Sequence, residues 1–117
     1  MAEKTLQMAL LFDFFGDLLT EKQREYFDLY YNEDLSLSEI ADNVGITRQG
    51  VRDIIVRAEA QLLDYEKRTG IVARFNQRNA DIDRAVEIAQ NILLSAESDT
   101  TADMAKKLTQ ILESLKG

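Results

Sequence analysis

Residues 36 to 59 read SLSEIADNVGITRQGVRDIIVRAE, and this stretch decides the fold. Ser36 followed three residues later by Glu39 is a capping-box pattern, in which each side chain satisfies a backbone N–H left free at a helix start. A short helix is therefore expected from Ser36 to about Asn43. Val44, Gly45 and Ile46 leave room only for a turn, and Thr47 is placed to cap a longer helix running through Leu62, Leu63 and Tyr65 to Gly70. Two helices crossing around so tight a turn need a small residue at the crossing and a turn residue that tolerates positive φ. Ala41 and Gly45 stand at those places. Ile40, Val44, Ile46, Val51 and Ile54 are spaced to face inward. Ser38, Glu39, Asp42, Asn43, Arg48, Gln49, Arg52 and Asp53 are spaced to face water. The pattern predicts a helix-turn-helix.

Outward from this core the chain continues to read as helix. It contains no proline and five isolated glycines, so little punctuates it. Leu6, Leu10, Phe14 and Leu18 fall four apart, with Leu11 and Phe15 beside them, predicting a first helix over residues 3 to 18. Thr20 and Gln23 form a second capping-box pattern, opening a helix over residues 21 to about 32 that buries Phe27, Tyr30 and Tyr31. Beyond Gly70, Ile71, Phe75, Ile82, Val86, Ala89 and Leu93 recur at helical spacing. The polar stretch SAESDTTAD reads as a turn, and Met104, Leu108, Ile111, Leu112 and Leu115 mark a last helix. The expected fold is all-α, with six helices, or five if the fourth and fifth merge. A tri-helical helix-turn-helix domain without a wing is expected over residues 1 to 70, and a C-terminal helical extension over residues 71 to 117.

Composition narrows the function. Cysteine and histidine are both absent, which removes thiolate and imidazole chemistry and the usual zinc ligand sets. No glycine-rich phosphate loop is present. Asp13, Asp17 and Glu21 lie four apart but read as solubilising residues on a wet helix face. Tyr26, Tyr30 and Tyr31 read as packing residues before a base-stacking platform. The expectation is a binding protein rather than an enzyme, with no cofactor and no metal. There is no apolar run long enough to span a bilayer and no signal-peptide pattern, so the expected place is the cytoplasm.

The binding surface is expected at the start of the second helix of the motif, where helix-turn-helix proteins meet base edges in the major groove. Arg48, Gln49 and Arg52 are the candidate base readers, since Arg can pair with guanine and Gln with adenine. Thr47 and Arg57 suit phosphates, and Gly50 would let a backbone come close. The chain is nonetheless acidic, with 14 Lys and Arg against 21 Asp and Glu and a formal charge of -7. By segment, residues 1 to 46 carry -7, residues 47 to 78 carry +3 and residues 79 to 117 carry -3. The only positive segment thus begins at the expected DNA-contacting helix. With a Debye length of about 8 Å in physiological salt, distant acids are screened, and DNA contact of modest affinity is expected. A homodimer would compensate by presenting two such helices, and the C-terminal stripes, or the dense LLFDFF patch, offer a surface for it.

Two resemblances add to this. The stretch LTEKQREYFDLYYNEDLSLSEIADNVGITRQGVRDI, residues 19 to 54, resembles region 4 of sigma-70-type factors. It shares their Leu-Thr-x-x-x-Arg-Glu opening, their Leu-Ser-x-x-Glu-Ile-Ala helix and their Arg-x-x-Val-Arg recognition helix. That resemblance implies DNA contact by Arg48, Gln49 and Arg52. Gly50 and Asp53 depart from it, standing where a basic or polar residue and a neutral base reader are usual. The runs LLFDFFGDLLTEKQREYFDLYYNEDLSLSEIADNVGITRQGV and RAEAQLLDYEKRTGIVARF resemble the YlxM family over at least residues 8 to 75. Arg52 stands where that family is expected to carry an aromatic residue. The YlxM resemblance implies a small helix-turn-helix regulator tied to the signal recognition particle pathway. It equally implies an alternative: an accessory protein that binds the targeting GTPase, or its RNA, without reading DNA.

Overall fold

The structure, a computed structural model, describes residues 6 to 117. Among them every regular element is a helix: α1 (Leu6–Phe15), a 3-10 turn (Gly16–Leu18), α2 (Glu21–Tyr31), α3 (Leu37–Val44), α4 (Arg48–Thr69), α5 (Ile71–Ser95) and α6 (Asp99–Leu115). No strand occurs among the described residues, and the fold is all-α with six helices. The chain forms two compact units, the first ending at Val72 and the second covering Ala73–Gly117.

The predicted caps form. Gln23 N–H donates to Thr20 Oγ1 at 3.2 Å while Thr20 N–H donates to Gln23 Oε1 at 3.0 Å, which starts α2. Ser36 and Glu39 make the same reciprocal pair at 3.1 Å, which starts α3. Gly45 and Gly70 end α3 and α4 in the left-handed conformation, at φ 76° and 64°. Gly70 separates α4 from α5, so the two do not merge.

Two clusters form the core of the first unit. Met8, Leu11, Phe15, Leu19, Phe27, Ala58, Leu62 and Val72 make one. Tyr26, Ile40, Ala41, Val51 and Ile55 make the other, beneath the α3–α4 crossing. Tyr31 packs against both, and its hydroxyl donates to the Glu59 carboxylate on α4, which is only 3% exposed. Phe12, Phe27 and Tyr31 stack in series, with centroids 4.7 and 4.3 Å apart.

Several expectations are corrected here. The stripe of Leu6, Leu10, Phe14 and Leu18 is not the buried face of the first helix: Leu6 is 91% and Leu18 61% exposed. Met8, Leu11, Phe15 and Leu19 are buried instead. At about 100° per residue Asp13 falls on the same side as Leu6 and Leu10, and an unpaired carboxylate does not enter an apolar core. Asp13 therefore turns that side to water. The helix also stops at Phe15, and the 3-10 turn brings Leu19 inward; residues 3 to 5 lie outside the described residues. Tyr26 is buried, whereas Tyr30 and Tyr31 are half-buried. Val44 closes α3 rather than belonging to the turn. Ile46 is 40% exposed and Ile54 half-buried, while Ile55 is fully buried. On α4, Ile55 shares the side of the buried Val51, Ala58 and Leu62, whereas Ile54 lies about 60° to the other side of Val51 and about 100° from Ile55.

In the second unit, Ile82 and Ala89 of α5 and Ala105 of α6 are buried. Lys116 Nζ meets Asp83 Oδ1 at 2.6 Å, and Asn79 Nδ2 donates to the Gly117 carbonyl at 3.2 Å. These ties bring the end of α6 beside α5, as in an antiparallel hairpin. The turn between them is shorter than SAESDTTAD: Ser98 caps α6 by accepting from Thr101 N–H at 3.1 Å, so residues 99 to 103 are helical.

Candidate nucleic-acid interface

Thr47 sets the start of α4. Its Oγ1 accepts from Gly50 N–H at 3.0 Å, which satisfies one of the free amides of the first turn. Gly50 has little room around it: a Cβ there would lie 3.1 Å from Thr47 Oγ1 and 3.4 Å from the Ile46 side chain. Its small size keeps the cap and the exposed Ile46 in place, a packing role that sequence reasoning had not assigned to it.

Helical geometry sorts the remaining candidates. Arg48 and Arg52, four apart, sit about 40° from each other, one turn along the axis. They share one flank of α4; Arg48 is exposed and Arg52 half-buried. Gln49 and Asp53 line the outermost face, and Gln49 Nε2 donates to Asp53 Oδ1 at 2.9 Å. The next residue on that line, four further on, is Arg57. It lies about 180° around the axis from Arg48 and about 13 Å along it. The structure thus brings Arg48 and Arg52 together, pairs Gln49 with an acid, and leaves Arg57 apart. Among the described residues none of these three arginines is held in an ion pair.

The Gln49–Asp53 bond changes what this face offers. A glutamine reads adenine by donating and accepting at once. Here one of its two N–H groups is already given to Asp53, and the carboxylate projects negative charge between Arg52 and Arg57. The spacing of residues 49 and 53, one helical turn, was a readable signal for this pair.

Further along α4, on the flank that carries Arg48 and Arg52, lies the Tyr31–Glu59 contact, a pairing that periodicity had not revealed. Burial, the hydrogen bond to Glu59 and the nearby charges of Glu59 and Tyr30 push the Tyr31 phenol far above the usual tyrosine range. The pair ties α2 to α4 beside the buried side chains that hold α4 in place.

No helix among the described residues is long and apolar enough to cross a membrane. The chain is similar to proteins named UPF0122 in several bacteria. It is 40% identical to one from Halalkalibacterium halodurans over 116 residues, covering 99% of this chain and all of the relative. One from Desulforamulus reducens is 42% identical over 106 residues, covering 91% of this chain and 87% of the relative. One from Bacillus mycoides is 41% identical over 115 residues, covering 98% and 99%. A family model described as "UPF0122: Putative helix-turn-helix protein, YlxM / p13 like" matches residues 2 to 104, a span that holds the α3–α4 motif and most of the second unit. With its capped α3–α4 crossing and this near full-length similarity, the chain belongs to the UPF0122, YlxM/p13-like helix-turn-helix family.

Proposed function

We propose that this protein is a cytoplasmic DNA-binding regulator whose contact surface is the first three turns of α4. The observation that carries the reading is the pair Arg48 and Arg52, on one flank of a capped helix start and free of ion pairs among the described residues. In this reading Arg48 and Arg52 meet base edges or phosphates, Thr47 and Arg57 meet phosphates to either side, and Gln49 contributes after giving up part of its bond to Asp53. Affinity is modest, because few cations face the duplex and Asp53 opposes them. An Arg48→Ala, Arg52→Ala double variant is expected to lose the low-salt band shift of the unmutated protein. Absence of any preferred sequence after random-site selection would sink the regulator reading.

A homodimer completes this picture. A two-helix hairpin buries only one face of each helix, and Ile88, Leu94, Met104, Leu108, Ile111 and Leu115 of the second unit are exposed. Pairing with the same hairpin of a second copy would cover them and supply two α4 helices to DNA. Light scattering tests this: a monomeric mass at micromolar concentration removes the dimer.

The acidic composition favours a second reading, in which the protein is an accessory factor of the signal recognition particle pathway. A formal charge of -7 suits a basic protein partner better than a polyanion. A pull-down against purified targeting GTPase and its RNA separates the readings, since retention of neither component rejects this one.

A further inference from the structure

The face of α1 that packing leaves outside is the strongest unexplained surface in the first unit. Leu6, Phe14 and Leu18 are 91%, 40% and 61% exposed, with Leu10 half-buried among them. Large apolar side chains at this density on one short helix and the 3-10 turn after it exceed what a solvated face requires. The acids of the same region accompany them. Asp13 and Asp17 interleave with the leucines, and both are exposed. On another flank, about 120° around α1 from Leu6, α1 and α2 bound an open depression of about 450 Å³, lined by Phe12, Glu21, Arg24, Glu25 and Asp28. Phe12 stacks on Phe27 there, and Arg24 is the one basic residue of the lining, 3.4 Å from Asp17.

We propose that this acid-flanked apolar face of α1 is a docking surface for a basic amphipathic helix of a protein partner. Charge selects the occupant. Residues 1 to 46 hold 10 acidic and 3 basic side chains, so a nucleic acid is repelled here. A second copy binding through the same face would bring both copies of Asp13 and Asp17 into one contact, since a two-fold contact matches a patch with itself. A helix with leucine-type anchors on one side and lysine or arginine along its edges satisfies both features: its apolar residues cover Leu6, Phe14 and Leu18, and its cations meet Asp13 and Asp17. The surface is distinct from the α4 face and works independently of DNA contact.

The test uses the full chain and a fluorescein-labelled synthetic peptide of leucine and lysine arranged as an amphipathic helix, followed by anisotropy. The helical peptide is expected to bind, and binding is expected to weaken about tenfold in Leu6→Ser, Leu18→Ser and in Asp13→Lys, Asp17→Lys, as for loss of anchor contacts. Circular dichroism should show both variants folded, and Arg48→Ala, Arg52→Ala should bind the peptide like the unmutated chain. The proposal is overturned by equal binding of a scrambled or glutamate-containing peptide, or by unchanged binding in the variants. A dimer that falls apart in Leu6→Ser, Leu18→Ser would assign the face to a second copy. Loss of nucleic-acid binding in that variant would assign it to nucleic acid. Either result also overturns the proposal.

Discussion

At the residue scale, small groups set what the larger motif can do. Gly45 turns the chain at φ 76°, where a side chain costs strain, so Gly45→Ala should destabilise the fold by about 1 kcal/mol in urea titration. Asp53 works against the basic flank from within. Asp53→Asn removes its charge yet keeps an acceptor for Gln49, and should tighten low-salt DNA binding several-fold by anisotropy; unchanged affinity would place the contact elsewhere. Tyr31→Phe leaves the buried Glu59 carboxylate without that donor and should cost about 1–3 kcal/mol. The pH dependence has a definite sign. The Tyr31 phenol is raised in the folded state, so the unfolded chain loses its proton first, near the ordinary tyrosine value of 10.0. The stability carried by this group is therefore full below that pH and declines as pH rises above it. Urea midpoints measured from neutral to alkaline pH should fall more steeply in the unmutated protein than in Tyr31→Phe.

At the element scale, the helices and their starts were legible because caps are local chemistry. Thr20 with Gln23, Ser36 with Glu39, and Thr47 each sit where a free amide needs an acceptor, and all three do so in the structure. Thr47→Ala should accordingly cost about 1 kcal/mol and fray the turn that carries Arg48, as seen in slower helix formation or faster amide exchange there. Which face of a helix is buried was less legible. In LQMALLFDFF apolar residues occupy nearly every side, so spacing alone admits two stripes, and only the placement of Asp13 breaks the tie. Adjacent isoleucines posed the same difficulty at residues 54 and 55, where Val51, Ala58 and Leu62 together set the buried side. Of the candidate site, the identity of Arg48, Gln49 and Arg52 was open to reading. The Gln49–Asp53 bond, the crowding at Gly50 and the separation of Arg57 depend on side-chain geometry that one-dimensional spacing underdetermines.

At the scale of the whole molecule, function turns on how an acidic protein contacts its partners. Residues 1 to 46 carry -7 and residues 79 to 117 carry -3, and the positive segment starts at α4, so in the proposed function attraction to DNA falls to the start of that helix. Such a contact is weak, salt-sensitive and dependent on very few side chains. The most direct measurement is the affinity of the folded protein for duplex DNA by fluorescence anisotropy across a salt series, beside Arg48→Ala, Arg52→Ala. The account predicts measurable binding at low salt that falls steeply as salt rises, and a double variant whose salt slope is smaller by about two phosphate contacts. Binding that is absent at low salt, or identical in the double variant, would contradict it.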